Sequence, residues 1–545
     1  CAPLDPDKPP PTPRNPPHQT HTLPLSTMQQ HGPEDKSCWF SGTQYLSNTL
    51  TIAVLGASGD LAKKKTFPSL FSLFNLGYIP ETALILGYAR SDLSDADLRE
   101  RIKPFLPDEP KRDKFLERVV YVKGAYDSEE DFGQLDARMA GYESGAKDEG
   151  GECDVANRLF YFALPPSVFA SAARAVSATC QTNNGWKRVI FEKPFGHSLK
   201  SFRKLVDDID STFSESQIYR IDHYLGKEMV QNLMALRFTN AMFEPIWNRD
   251  HVQSVSIHFK ENFGTDGRGG YFDNIGIIRD VMQNHLLQVL SIIAMEPPVS
   301  VSGERGSEFL RDEKVKVLQS IEPIKIENVV LGQYLKEIDG QNRPGYRDDD
   351  GVPNDSVTPT FATIVFYIRN ARWAGVPFIM RAGKALNERK SEIRVQFKRP
   401  ATADYLFSEA EHSAPNELVM RLQPEEAIYL KMNVKTPGLA QTTTVTEMNL
   451  DYQNRFKETE AGEAPEPDAY ARLILEVLRG RHATFVREDE LQIAWELFDP
   501  LLEKIEKERS EPIGYAYGSR GPKESDELFE RVGFQYAGEQ YHWKK

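Results

Sequence analysis

The sequence predicts two joined folds: a Rossmann-like, doubly wound α/β dinucleotide domain, then an α+β domain built on a large, mainly antiparallel sheet. Three observations carry that reading. Leu50–Leu55 reads as a buried strand that runs into a glycine turn and then a helix from about Lys63 to Leu76. Strand and helix patterns keep alternating as far as Gly196, as βα units do. Beyond Glu228 the pattern changes to strands that alternate apolar and polar residues, as expected where one sheet face is buried and pairing is antiparallel.

At 545 residues the chain is too long for one core. The expected division is a disordered, proline-rich tail over 1–46, a dinucleotide-binding domain over 47–222, and a substrate and oligomerisation domain over 223–545. With 40% hydrophobic and 27% charged residues, the composition is that of a soluble globular protein. A net charge of −14 with no basic block argues against nucleic-acid binding, so phosphorylated ligands would need local clusters of Lys and Arg. No apolar run approaches the roughly 20 residues of a membrane span. The tail lacks the apolar core of a secretory signal, and Tyr541–Lys545 carries no peroxisomal tripeptide. The 4 cysteines, Cys1, Cys38, Cys153 and Cys180, have no metal-ligand spacing and are too few for a disulfide framework. That points to a reducing, cytoplasmic setting and to no bound metal.

In the first domain the turn Gly56-Ala57-Ser58-Gly59-Asp60-Leu61-Ala62, followed by Lys63, is a candidate phosphate cradle. Glycine lets the backbone approach a ligand, and a helix N-terminus offers N–H groups. The G-x-x-G spacing is weak by itself and gains weight from the strand before it and the helix after. The next strand, Ala83–Tyr88, ends at Ala89-Arg90-Ser91. An enzyme that uses NAD places an acidic residue there for the ribose 2′-hydroxyl. Arg90 would instead attract a 2′-phosphate and stack beside an adenine, which favours NADP. Strands follow at 118–122, 159–164 and 188–191, with a helix near 167–178. The last strand ends in Glu192-Lys193-Pro194, at the carboxyl edge that faces the ligand crevice in such sheets. An ordinary salt-bridged lysine is the plain alternative.

Arg220–Glu228 packs His223, Tyr224 and Lys227 beside a glycine. If the segment is helical, His223 and Lys227 share a face. A histidine, a phenol and an ammonium on one small surface suit a phosphate monoester, although a solvated helix start would look the same. In the second domain strands are expected at 252–259, 360–368, 393–397, 418–422 and 427–434, with helices near 227–240, 276–295, 468–479, 489–506 and 523–531. A glycine-rich loop, Lys260–Gly270, precedes Arg279–Leu287, where His285 stands in an apolar helix. Such a histidine is more often a satisfied core residue than a base. Asp280 lies five residues before it, so α-helical spacing does not bring the two together. Arg381, Lys384, Arg389 and Lys390 cluster after an apolar strand.

Gly56–Ala62, Glu192–Gly196, Arg220–Glu228, Arg279–Leu287 and Arg381–Lys390 occur in the order and rough spacing of the glucose-6-phosphate dehydrogenase family. From about Leu50 onward the chain resembles that family. The resemblance implies oxidation of C1 of β-D-glucose 6-phosphate to the 1,5-lactone with hydride passing to NADP⁺, the first, NADPH-supplying step of the oxidative pentose phosphate pathway. It implies His285 as general base, Asp280 as the carboxylate that supports this base and contacts the sugar, and Lys193 as a bridge between sugar and cofactor. His223, Tyr224 and Lys227 would hold the phosphate, with Glu261, Lys384, Arg389 and Gln423 as further substrate contacts. The coenzyme would lie on Gly56–Lys63, Arg90 and Lys193.

Some family members bind a second, structural NADP⁺. The matching positions are Arg381, Lys390, Arg394, Arg421, Tyr429, Lys431, Arg487, Tyr536 and Trp543. The resemblance also implies a homodimer or homotetramer. Two alternatives remain: a related sugar-phosphate or hexose dehydrogenase of altered substrate, and a non-catalytic NADP(H) sensor on the same fold. The intact set His285, Asp280, Lys193 and Lys227 weighs against a sensor, which needs no base.

Overall fold

The structure, a computed structural model, describes residues 42–148, 155–182, 184–302, 305–336, 343–403, 414–439, 442–451 and 467–535. Six strands form one parallel sheet in the order β3-β2-β1-β4-β5-β6: β1 (Thr49–Leu55), β2 (Leu84–Ala89), β3 (Val119–Lys123), β4 (Ala156–Phe162), β5 (Lys187–Phe191) and β6 (Ile218–Arg220). Both β2 and β4 are buried along their whole length, which is why they read as apolar runs rather than as alternating strands. Around this sheet run α1 (Phe67–Asn75), α2 (Asp95–Ile102), α3 (Arg112–Glu117), α4 (Glu129–Asp148), α5 (Phe169–Thr179) and α6 (Leu199–Asp210). The strand order reverses between β1 and β4, so the carboxyl ends of those two strands open the crevice where such sheets take their ligands.

The second sheet has nine strands in the order β14-β13-β12-β11-β7-β10-β9-β8-β15. They are β7 (Val252–Lys260), β8 (Val329–Leu335), β9 (Phe361–Phe366), β10 (Phe378–Gly383), β11 (Lys390–Phe397), β12 (Glu417–Gln423), β13 (Ala427–Lys435), β14 (Thr443–Asp451) and β15 (Ile513–Ala516). Pairing is antiparallel except for β7 with β10 and β8 with β15. The remaining helices are α7 (Glu228–Thr239), α8 (Gly269–Asp273), α9 (Leu287–Ala294), α10 (Gly306–Ser320), α11 (Ala469–Arg479), α12 (Glu488–Glu508) and α13 (Lys523–Arg531). Sequence periodicity did not reveal β6, β8, β14 or β15, which are short or lie toward a sheet edge.

Helix α11 returns to the first sheet. Leu473, Ile474, Val477 and Leu478 share a buried cluster with Val54, Phe67, Leu70 and Tyr161. Its C-terminus is held there by Arg188, whose Nη1 donates to the carbonyls of Val477 (2.7 Å) and Leu478 (2.8 Å). Packing also reaches further toward the N-terminus than expected. Residues Gln44–Ser47, all but the last expected within the tail, form a 3₁₀ turn with Tyr45 buried and its hydroxyl donating to the Tyr78 carbonyl at 2.9 Å. Residues 1–41 of the expected tail, with Cys1 and Cys38, lie outside the described residues, as does Cys153. Cys180 is a buried free thiol whose burial pushes its pKa up to about 11, so it is an inert packing residue.

Candidate active site

The glycine turn is shaped by what surrounds it. Gly56 follows β1 with φ +86°, and a Cβ there would stand 2.3 Å from the Ala163 carbonyl oxygen, so only glycine fits. The first helical bond of the following helix runs from the Lys63 amide to the Gly59 carbonyl (3.2 Å), which leaves the amides of Asp60, Leu61 and Ala62 ahead of it. Asp60 is exposed and pairs with Lys63 (2.6 Å) and Lys64 (3.1 Å), which offsets its charge beside the glycine turn. Ser58 accepts a hydrogen bond from Ser91 (3.0 Å), tying the turn to the end of β2. Beside it the Tyr121 hydroxyl lies within 2.9 Å of the Ala89 carbonyl and 2.7 Å of the Ser91 carbonyl, fixing the backbone on both sides of Arg90. Arg90 itself is exposed, with its guanidinium 5.3 Å from the centre of the Tyr126 ring. A Cβ-free cradle with a positioned guanidinium at the second strand fits a dinucleotide with a 2′-phosphate.

At the carboxyl end of β5 the Lys193 ammonium donates to the Asp280 carbonyl oxygen (2.7 Å) and stands 3.7 Å from its carboxylate. Lys384, on the turn after β10, binds Glu261 (2.5 Å) and stands 3.7 Å from the other oxygen of Asp280. Two ammonium groups thus converge on one carboxylate at the mouth of the crevice. Main-chain bonds to the end of β10 and the turn after it keep Glu261 there, since its amide donates to Gly383 (2.9 Å) and its carbonyl accepts from Leu386 (2.8 Å).

His285 lies behind them in a π-helical segment, Ile278–Leu286, where i→i+5 bonding brings residues five apart toward one side. The charge of Asp280 therefore reaches His285, which α-helical spacing had not suggested. The carboxylate that actually bonds the imidazole is a different one. His285 Nδ1 lies 2.6 Å from Oδ1 of Asp222, and both side chains are buried. This corrects the expectation for Asp280, whose contacts are Lys193 and Lys384. Because an ionised carboxylate can only accept, Nδ1 carries the hydrogen and the Nε2 lone pair is left to act as a base. Burial holds the His285 pKa below its ordinary value, against the opposite pull of Asp222. Asp222 stays ionised, down at about 2: burial opposes this, but the charge and hydrogen bond of His285 outweigh it.

The Arg220–Glu228 segment is built directly on that pair. Asp222 Oδ1 also accepts from the Tyr224 amide (2.9 Å) and so caps a 3₁₀ turn, His223–Gly226, rather than the α-helix considered from the sequence. Tyr224 is buried with its ring stacked on His285 at 4.7 Å. His223 meets the His285 ring edge-on at 4.5 Å. Burial, then the neighbouring His285, keep His223 neutral, well below its ordinary pKa, so it would enter a phosphate site as an N–H donor without charge. Lys227 donates to Gln423 Oε1 at 2.5 Å, and burial lowers its pKa too. Arg389 is exposed nearby, and its charge, with that of Lys65, acts on Lys227.

Among the residues matched to a second dinucleotide, several share the polar layer of the large sheet. Arg394 bonds Glu392 and Glu417, each at 2.7 Å, Lys390 lies 3.1 Å from Glu388 and from Glu392, and Lys431 is 3.7 Å from Glu417. Arg421 lies on β12 and Tyr429 on β13, the next strand. Arg381 pairs with Asp526 (2.7 Å) and covers the Phe529 ring. Arg487 does not belong to this layer. It begins α12 and pairs with Glu308 (2.9 Å), Asp312 (2.8 Å) and Asp489 (2.8 Å), while the arginine that shares Asp526 with Arg381 is Arg520 (3.5 Å). Tyr536 and Trp543 lie outside the described residues.

Sequence reasoning missed Asp222, Arg520 and Tyr470, whose ring lies parallel to His223 at 6.0 Å. Asp222 had a signal: it is an acidic residue just past β6, at the crevice edge of the parallel sheet.

A parallel sheet with a dinucleotide turn, joined to a buried histidine–carboxylate pair, defines a nicotinamide-dependent dehydrogenase. The comparisons narrow that class. Family models described as "Glucose-6-phosphate dehydrogenase, NAD binding domain" and "Glucose-6-phosphate dehydrogenase, C-terminal domain" match residues 53–232 and 234–543. Glucose-6-phosphate 1-dehydrogenase of Dictyostelium discoideum is 51% identical over 488 residues, 89% of this chain and 95% of that protein. The cytoplasmic glucose-6-phosphate 1-dehydrogenase 6 of Arabidopsis thaliana is 51% identical over 495 residues, 89% and 92% of the two chains. A solved glucose-6-phosphate dehydrogenase in complex with its substrate glucose-6-phosphate superposes with a TM-score of 0.84 at 48% identity, covering 90% of this chain and 99% of that one. The chain belongs to the glucose-6-phosphate dehydrogenase family.

Proposed function

We propose that the chain oxidises glucose 6-phosphate at C1 to 6-phosphoglucono-1,5-lactone with NADP⁺ as acceptor, and that His285 is the general base. The observation that carries this reading is the buried His285–Asp222 pair, 2.6 Å apart, with Lys193 and Lys384 converging on Asp280 of the same π-helical segment. When bound, NADP⁺ supplies the hydride acceptor. The residues do the rest. His285 Nε2 takes the C1 hydroxyl proton as the C1–H bond breaks, and the resulting imidazolium is stabilised by Asp222, which keeps its charge. Lys193, Lys384, Glu261 and Asp280 orient the sugar, while Lys227, His223, Gln423 and Arg389, with Tyr224 packed beneath, hold the 6-phosphate.

The Gly56–Lys63 cradle and Arg90 select the phosphorylated dinucleotide. A second dinucleotide on the large sheet would meet Arg394, Arg421, Lys390, Lys431 and Tyr429, and would compete with Glu392 and Glu417 for them. A dimer or tetramer accords with the exposed apolar residues Met448, Leu450 and Val434 at the β14 edge of that sheet. A cytoplasmic setting accords with the Arabidopsis relative.

The deciding assay follows NADPH absorbance with glucose 6-phosphate for the purified protein and His285→Asn. The variant should lose on the order of 10²–10⁴ in kcat. An unimpaired variant, or an inactive parent protein, would sink the reading.

A further inference from the structure

We propose that Arg472 is a positioning residue for the phosphate clamp: from α11 it fixes the turn between His223 and Lys227 by holding the Gly226 carbonyl and the Glu228 carboxylate. The inference rests on the reading of that turn as the phosphate site. Arg472 Nη1 donates to the Gly226 carbonyl oxygen at 3.2 Å, and Nη2 lies 3.0 Å from Glu228 Oε2. Those two partners bracket Lys227, so one planar guanidinium holds the backbone before, and the side chain after, the lysine that reaches Gln423. Its fork geometry suits two fixed acceptors, which a lysine ammonium would not match.

The surrounding packing leaves the turn nowhere else to go. A Cβ on Gly226 would stand 2.4 Å from the Ala469 carbonyl oxygen and 2.9 Å from Leu473 Cγ, so the turn lies directly against the first turn of α11. That end of α11 is anchored in turn: Asp468 accepts from the Ala471 amide (2.9 Å) and from the Ser69 hydroxyl on α1 (3.0 Å). The first turn of α11 is therefore wedged between the helix of the dinucleotide cradle and the clamp. A 3₁₀ turn is weakly held by its own hydrogen bonds and contains a glycine here, so external support has something to do. Arg472 has a second effect. It neutralises Glu228, a carboxylate next to Lys227 that would otherwise repel a phosphate dianion.

The test compares the full-length parent protein with Arg472→Gln, Arg472→Lys and Lys227→Met, using glucose 6-phosphate, unphosphorylated glucose, and inorganic phosphate as a competing ligand. Arg472→Gln should raise KM for glucose 6-phosphate about tenfold and weaken phosphate inhibition in step, with kcat within about twofold. Its kcat/KM for unphosphorylated glucose should not change. Arg472→Lys, able to serve one partner at a time, should fall between. Equal losses on both sugars, or a lowered melting temperature with KM unchanged, would make Arg472 merely structural and overturn the proposal. If Arg472→Gln does not fold, the same split between sugars is read on Arg472→Lys, and its absence there is equally decisive. Should Lys227→Met keep its preference for the phosphorylated sugar, the clamp reading itself fails, whatever Arg472 does.

Discussion

His285 Nδ1 and Asp222 Oδ1 lie 2.6 Å apart with both side chains buried, so the imidazole is fixed as a single tautomer before any substrate arrives. Asp222→Asn can place an amide N–H against Nδ1 and turn the imidazole to the wrong tautomer. The expected loss is about 10⁴ in kcat with KM for glucose 6-phosphate little changed. Steady-state kinetics check this, and a loss below tenfold would return the supporting role to Asp280.

Lys227 tests the phosphate site. Lys227→Met removes a charge-assisted donor from a half-buried pocket and should raise KM for glucose 6-phosphate about 10- to 100-fold. The rate with unphosphorylated glucose should barely move. A parallel fall for both sugars would show that Lys227 supports the fold rather than the phosphate.

Gly56→Ala tests the cradle. With φ +86° and a carbonyl 2.3 Å from the new methyl, the turn must shift, so the variant should be destabilised by at least about 1 kcal/mol and bind NADP⁺ more weakly. Thermal melting and titration of NADP⁺ fluorescence quenching read the two effects. Unchanged affinity would place the dinucleotide elsewhere.

His482 gives a pH prediction. Burial first, then Arg311, depress its pKa to about 4, and its ring stacks on Tyr219 at 4.1 Å. The unfolded chain therefore binds a proton, near pH 6.5, that the folded chain refuses until about pH 4. Stability from this residue is complete above the unfolded value and is lost as pH falls through that window, on the order of 3 kcal/mol in all. His285 and His223 are shifted the same way and add to the slope. Melting temperatures measured from pH 7 down to pH 4 should fall less steeply for His482→Gln. Parallel curves would refute the assignment.

Much of this is legible in the sequence. The glycine turn, Lys193 at a strand end and the Arg220–Glu228 segment each carried a local chemical reason, and each follows the carboxyl end of a strand of the parallel sheet. The base was harder to see. His285 looked like a core residue because it is one, with 2% exposure, and only its bond to Asp222 gives it chemistry. The π turn also defeats α-helical spacing, so Asp280 seemed out of reach. Arg487 was matched to the second dinucleotide by family resemblance alone, and a match in sequence does not say which carboxylates hold it: its three partners lie on α10 and at the start of α12. Strand β14 hid because its residues are largely exposed and show no buried period.

Helix α11 has a consequence for how the chain is made. The six parallel strands leave the ribosome long before the segment whose Leu473, Ile474 and Val477 seal one of their faces. Until then the newborn sheet must keep a greasy side turned to water, a standing invitation to chaperones and to clumping. A messenger cut short anywhere before Asp468 should therefore yield aggregate rather than a free nucleotide-binding half.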